Sequence, residues 1–267
     1  MILIIKFYIK IYWPKYKIEF ILSWWEPLLY PNIYKIISFI IDNWYYVTIQ
    51  TNAVLFKDLK IIEKFVRFKW RVYFFVSLHW HTKKIYNTIT NSNLYDNAII
   101  WIKNLITIFG NYYVELNIVI NTFNYIYLMD YLKYINNNLY INDKIKLNIS
   151  LLLANKPFHE KYLVKYTDIV NYINWINILN FKNINFYESF NLAWWYCQLP
   201  FCIFSKINYI DNDNLFKYAV LNDVKVGENI MYKWKVCTKC KYNQYCVWIS
   251  KIYYKKFGDS ELFCLKK

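Results

Sequence analysis

The chain has 267 residues, enough for one large domain or two smaller ones around a buried core. Hydrophobic residues make up 57% and the net charge is +15, so a polyanion or an anionic lipid surface is the expected partner. Only 3 glycines are present, scattered singly, which excludes a phosphate-cradling loop or a dinucleotide turn.

Two arginines stand among 33 basic residues, and Ile, Asn, Tyr and Phe are in excess. These are residues of A- and T-rich codons, yet Trp occurs 12 times. A code that reads an A-containing codon as Trp reconciles the two, so the composition points to an organelle-encoded protein of the mitochondrial matrix. The charge is uneven: +6 over residues 53–84, zero over 85–230 and +7 over 231–267.

In chain order, residues 2–24 alternate loosely and break at Pro14, which predicts one or two strands. Asn32–Gln50 reads as a buried helix or a strand pair that periodicity does not separate. Lys60–Lys84 is predicted as a long amphipathic helix. On it Lys60, Lys64, Arg67 and Arg71 share one stripe, and Phe65, Phe68 and Val72 share the neighbouring apolar one. His79 and His81 would then point to different sides and read as core or rim residues. A polar loop through TITNSN follows. Ala98, Trp101, Ile102, Leu105 and Phe109 then recur at helical spacing up to a capping Gly110.

Two short strands are expected around Asn117, a turn over Asn121–Asn124 and a hairpin over 139–149. In its second strand Ile145, Leu147 and Ile149 share one face, with Lys144, Lys146 and Asn148 on the other. Lys161–Leu179 reads as helix, 186–206 as an aromatic strand-like stretch and 211–214 as a turn. The fold class expected is α+β, with helices packed on small antiparallel sheets and a C-terminal Cys-rich module. The divisions are 1–52, 53–150, 151–230 and 231–267. No segment is long and apolar enough to span a membrane: the longest uncharged run, Ser189–Ser205, is interrupted by Asn191, Gln198 and Pro200. The N-terminus lacks the marks of a signal or transit peptide.

One constellation carries chemistry. Cys237, Cys240, Cys246 and Cys264 are spaced C-x2-C-x5-C-x17-C. Four thiolates can complete a tetrahedron, so one metal is expected there: zinc comes first, thiols that bind nothing second and an iron–sulfur cluster third. Lys233, Lys235, Lys239 and Lys241 around the pair would help to hold thiolates ionised. Cys197 and Cys202 lie in an apolar run and read as small core residues.

Three stretches carry a resemblance: Val72–Trp80, Ile102–Asn117 and Asn124–Leu132, with Phe186–Pro200 as a fourth piece. Their order resembles the RNA-binding domain of small-subunit ribosomal protein four. The resemblance implies a structural, non-catalytic component of a mitochondrial small ribosomal subunit, bound to ribosomal RNA and to other ribosomal proteins, with no small-molecule substrate. RNA contacts would then be Lys60, Lys64, Arg67, Lys69, Arg71, Lys83, Lys84 and Lys103. An accessory subunit of an inner-membrane respiratory complex is the alternative. No catalytic residue is expected, because no motif supplies a nucleophile, a base or a paired acid.

Overall fold

A computed structural model describes residues 6–12, 15–23, 26–139, 144–152, 154–176, 181–185, 199–208, 231–243, 246 and 249–265. Seven strands form one sheet: β1 (Lys6–Tyr12), β2 (Lys15–Leu22), β3 (Tyr46–Thr51), β4 (Val72–Ser77), β5 (Val114–Ile120), β6 (Ile145–Leu151) and β7 (Ile184–Asn185). They lie side by side in the order in which they occur in the sequence. β1 and β2 are antiparallel, with the expected break at Pro14 lying outside the described residues, whereas β2 through β5 run parallel, as do β6 and β7.

Parallel neighbours need a crossover between them, and helices supply it. These are α1 (Ile33–Asp42), α2 (Leu59–Val66), α3 (Lys83–Thr90), α4 (Tyr95–Phe109) and α5 (Leu128–Asn138). Later come α6 (Tyr166–Ile176), α7 (Phe201–Phe204) and α8 (Lys251–Phe257), with a small antiparallel pair of β8 (Met231–Tyr232) and β9 (Ile249–Ser250). The chain divides into two compact units, residues 1–118, 130–148 and 181–189 in the first, and 119–129, 149–180 and 190–267 in the second.

The first unit is built on alternation. Val72, Phe74 and Val76 of β4 are buried, while Tyr73, Phe75 and Ser77 are partly exposed. The register carries this alternation sideways: Val47, Val72 and Ile49, Phe74, Val114 share the buried face. Phe65 of α2 and Phe109 of α4 pack on Phe74 edge to face, with centroids 5.8 and 4.9 Å away. The opposite face carries Thr48 beside Tyr73, Gln50 beside Phe75 and Glu115, and Ser77 beside Asn117. One face of the sheet is thus a helix-covered core, and the other is polar.

The expectation of small antiparallel sheets is therefore corrected. Parallel strands are short apolar runs with helices between them, and runs of four to eight residues read equally as buried helix. The Lys60–Lys84 segment shows the error directly. The helix stops at Val66 with Arg67 as its cap, a turn follows, and Val72–Ser77 is strand. The TITNSN loop is corrected too, since Thr88–Thr90 ends α3 and the left-handed Asn91 terminates it. The hairpin over 139–149 gives way to β6 paired in parallel with β7, though residues 140–143 lie outside the described ones. The two strands around Asn117 are one, β5.

Other expectations agree with the structure. α4 covers the expected span, and Gly110 caps it at φ 85, donating its N–H to Ile106. Ile145, Leu147 and Ile149 share the buried face of β6, while Lys146 lies on the other. No helix among the described residues is long and apolar enough to cross a membrane.

Candidate functional site

The cysteines gather in the second unit. β8 and β9 pair on either side of the segment that carries Cys237, Cys240 and Cys246, and a 3-10 turn over Lys235–Lys239 carries Cys237. Cys240 then donates its N–H to the Cys237 carbonyl at 3.0 Å, so the C-x2-C pair bends back on itself. Cys246 is held by its N–H to Tyr242 at 2.8 Å. Ser250 caps α8 through its hydroxyl, which accepts from Tyr253 N–H at 3.0 Å. The whole tail is anchored by Tyr253, whose buried hydroxyl donates to Glu261 and accepts from Tyr166 N–H at 2.8 Å.

Cys202, Cys237, Cys240 and Cys246 line one cleft with about 440 Å³ of empty space, part of it open to solvent. The rest of its wall is largely apolar, including Pro200, Phe201, Trp234, Ile249, Leu262 and Phe263. Burial pushes the thiols of Cys237, Cys246 and Cys202 upward from the ordinary cysteine value. Lys233 acts on Cys237 in the opposite sense but is outweighed. For Cys237 the expected help from a neighbouring lysine is thus outweighed by desolvation. Among the described residues no three His, Cys, Asp or Glu side chains converge closely enough to hold an ion as they stand.

The donor set is what an iron–sulfur cluster takes: sulfur alone, in an apolar shell. Sequence reasoning found Cys237, Cys240 and Cys246 by spacing and read Cys202 as a small core residue; Cys202 is buried as expected, and it also lines the cleft. Nothing in the local sequence announces that contact, because it is made 35 residues upstream of the pair. Cys197 lies outside the described residues.

The first unit contains no cysteine, since Cys197 is the first in the chain. Its polar sheet face is organised instead by oxygen and nitrogen. The Thr48 hydroxyl donates to Glu19, and Asn148 Nδ2 donates to Asn117 Oδ1 at 2.8 Å. Lys146 Nζ stands 4.5 Å from the Tyr112 ring. At the carboxyl ends of the strands, where parallel sheets take their ligands, Glu26 is buried. It accepts from the Thr51 hydroxyl at 2.8 Å and from the N–H groups of Asn52 and Leu28 at 2.9 and 3.2 Å. Burial still raises its carboxyl above the usual range. His79 and His81 leave β4 in irregular chain rather than helix. Burial lowers His79 to about 4 and lowers His81 as well.

Of the expected basic stripe, Lys60, Lys64 and Arg67 lie on α2 and its cap, whereas Arg71 lies beyond the turn that follows. Lys60, Lys84 and Lys103 are exposed. Lys64 Nζ is 5.3 Å from the Tyr34 ring, Arg67 lies 4.4 Å over Phe68 and Arg71 4.4 Å over Trp44. Lys69 donates to the Ile108 carbonyl at 3.0 Å, and Lys83 pairs with Asp96. The stripe fails because its second half is not helical.

No protein-family model matches the chain. No curated protein matches it either. Among solved structures the chain is similar to anSMEcpe with bound AdoMet and Cp18Cys peptide, at 12% identity and TM-score 0.51 over 92% of this chain and 79% of that one. TYW1 with a lysine-pyruvate adduct bound is more distant, at 12% identity and TM-score 0.41 over 59% of this chain. The chain spans 49% of that structure's length. These neighbours are radical SAM enzymes.

The fold likeness to anSMEcpe corrects the ribosomal resemblance and, with it, the respiratory-subunit alternative. Val72–Trp80, quoted as part of an RNA-binding helix, is a sheet strand and its exit, and Ile102–Asn117 runs from a crossover helix into the next strand. Ribosomal RNA and ribosomal proteins fall away as partners. The expectations of no enzyme and no small-molecule substrate are corrected too, because the fold is one that enzymes use and anSMEcpe holds AdoMet and a peptide. Zinc, the first expectation for the thiols, finds no support in the fold likeness to anSMEcpe.

Proposed function

We propose that the chain is an enzyme of the radical SAM fold class whose redox centre is an iron–sulfur cluster held by cysteines of its second unit. One observation carries this reading: the C-x2-C-x5-C thiols line a single apolar cleft, in a chain folded like an AdoMet-bound enzyme. When bound, such a cluster supplies one-electron chemistry. The chain's own residues would hold it by thiolate, keep water away with Trp234 and Phe263, and fix the tail through Tyr253 and Glu261.

AdoMet chemistry in the first unit is a different matter. A thiolate-bound cluster beside AdoMet has no ligands there, since residues 1–196 contain no cysteine. The residues of the first unit do not fit that group. The substrate class we propose is a peptide, as in anSMEcpe, lying on the polar sheet face where Gln50, Tyr73 and Ser77 present polar groups. The proposed location is the mitochondrial matrix, on the support of codon-driven composition.

The test is anaerobic purification followed by iron and sulfide analysis. About four of each per chain are expected, since a four-iron cluster takes four cysteines, with visible absorption that bleaches on reduction. Protein carrying zinc alone, or no metal after reconstitution with iron and sulfide, refutes the reading.

A further inference from the structure

We propose that the amino end of the parallel sheet in the first unit docks on the surface of an anionic lipid bilayer. This surface lies at the sheet end opposite to the one where parallel sheets take their ligands, so it stands apart from the iron–sulfur reading. Trp44, Trp70 and Tyr112 each stand two residues before a strand, β3, β4 and β5 respectively. Those strands run parallel, which places all three residues at one end. They are 78%, 75% and 55% exposed. Phe39, in the last turn of α1, and Val66, at the end of α2, are exposed at this end as well. Five of the eight exposed large hydrophobic side chains described in the first unit thus gather here, whereas a composition bias alone would scatter them.

The backbone holds the first of these residues in place. Trp44 has φ 68, a left-handed conformation disfavoured for a bulky side chain. Its N–H donates to the Ile41 carbonyl at 2.9 Å, and Asn43 Nδ2 donates to the Phe39 carbonyl at 2.7 Å. Glycine or asparagine would close this turn without strain, so the exposed indole serves something outside the core. Cations stand between the rings. Arg71 lies 4.4 Å over Trp44 and 5.8 Å from Tyr46, and Lys146 Nζ stands 4.5 Å from Tyr112. Trp70 meets Tyr113 at 6.2 Å, and Tyr113 meets Tyr112 at 5.0 Å. With exposed Lys64, Arg67 and Lys144, these cations outnumber the exposed carboxylates nearby, Asp42 and Glu63. Trp and Tyr settle at the headgroup level of a bilayer, and Lys and Arg beside them meet anionic headgroups. Phe39 and Val66 add apolar surface that a bilayer receives and the phosphates of a polynucleotide do not. No described helix is long and apolar enough to cross a membrane, so the attachment is peripheral.

The experiment floats the full-length protein with vesicles of equal parts phosphatidylcholine and phosphatidylglycerol, and with vesicles of phosphatidylcholine alone. Wild type should rise with the anionic vesicles, release them as salt is raised, and ignore the neutral ones. Arg67→Gln with Arg71→Gln should lower vesicle affinity about fivefold for each arginine removed. Trp44→Asn with Trp70→Ser should weaken binding at every salt concentration, because it withdraws apolar area; asparagine suits the left-handed backbone. Leu59→Ser removes an exposed apolar side chain at the other end of α2 and should change nothing. Circular dichroism checks that each variant is folded. A wild type that does not float with anionic vesicles overturns the proposal. Flotation that neither pair of substitutions alters overturns it too, since the basic tail would then be the anchor. Tighter binding to polyuridylate than to anionic vesicles, lost in the same variants, would assign this end to nucleic acid and overturn the lipid assignment.

Discussion

The ring of Tyr253 lies flat on that of Tyr166, with centroids 3.9 Å apart and planes 10° from parallel. Its hydroxyl joins the Tyr166 N–H to the buried carboxylate of Glu261, which also accepts Thr167 N–H at 3.0 Å. Tyr253→Phe keeps the stacked ring and removes both hydroxyl contacts. It should cost about 1–3 kcal/mol, the usual effect of removing one partner from buried polar groups. Tyr253→Ala should cost about 3–5 kcal/mol because it also leaves a cavity. Urea unfolding of the two variants measures the difference, and a Tyr253→Phe variant as stable as wild type would mean that the polar contacts contribute nothing.

Acid should weaken the fold through His79. Burial holds its pKa at about 4 in the folded chain, against about 6.5 in the unfolded one. The unfolded state therefore binds the proton first. Stability is complete above about pH 6.5 and declines as pH falls towards 4, by roughly 3 kcal/mol in total. His81 is shifted in the same direction. Glu26, with its raised carboxyl, works the opposite way and gains from protonation. His79→Phe cannot titrate, so its denaturation midpoint should fall less steeply over this pH interval than that of wild type. Parallel slopes would remove His79 as the cause.

Asn148 and Asn117 should matter as a pair on the polar sheet face. Their 2.8 Å bond is buried. Asn148→Leu should cost about 1–3 kcal/mol by withdrawing a donor from Asn117. The Asn148→Leu, Asn117→Leu double variant should cost less than the sum of the two single changes. A double-mutant cycle by chemical unfolding gives the coupling, and strict additivity would deny it.

Arg67→Glu with Arg71→Glu should leave the fold intact. Arg67 lies over Phe68 and Arg71 over Trp44, both at 4.4 Å, and Arg71 also stands 5.8 Å from the Tyr46 ring, contacts worth about 0.5–1 kcal/mol each at exposed sites. Phe74→Ala, by contrast, empties a position packed edge to face by Phe56, Phe65 and Phe109 and should cost about 3–5 kcal/mol. Thermal melts rank the two. An unfolded arginine double variant would show that these side chains hold the core rather than decorate it.

What could be read from the sequence was local. Gly110 closed a helix, and the Ile145–Leu147–Ile149 alternation placed one face of β6 correctly, because each signal is complete within a dozen residues. Val72–Ser77 was misread because its five apolar or aromatic residues, Val72–Val76, fit a helical stripe and a buried strand equally well. The choice is made by β3 and β5, which lie on either side of it. The parallel sheet was hidden for the same reason: pairing between distant strands leaves no trace in a short window. At the thiol cleft, spacing disclosed three sulfurs, and the contribution of Cys202 depends on where α7 is set down.

The strands of the sheet lie in the order in which they are made. When Leu22 has been synthesised, the next partner, ending at Thr51, is complete roughly 1–6 s later at translation rates of about 5–20 residues per second. No finished strand has to be prised from a neighbour to admit a later one. At the growing side, the strand most recently laid down is the one left open, and an open edge is where chains join one another wrongly. The nascent protein therefore exposes a single growing edge that moves along with synthesis, and each arriving strand seals the one before it.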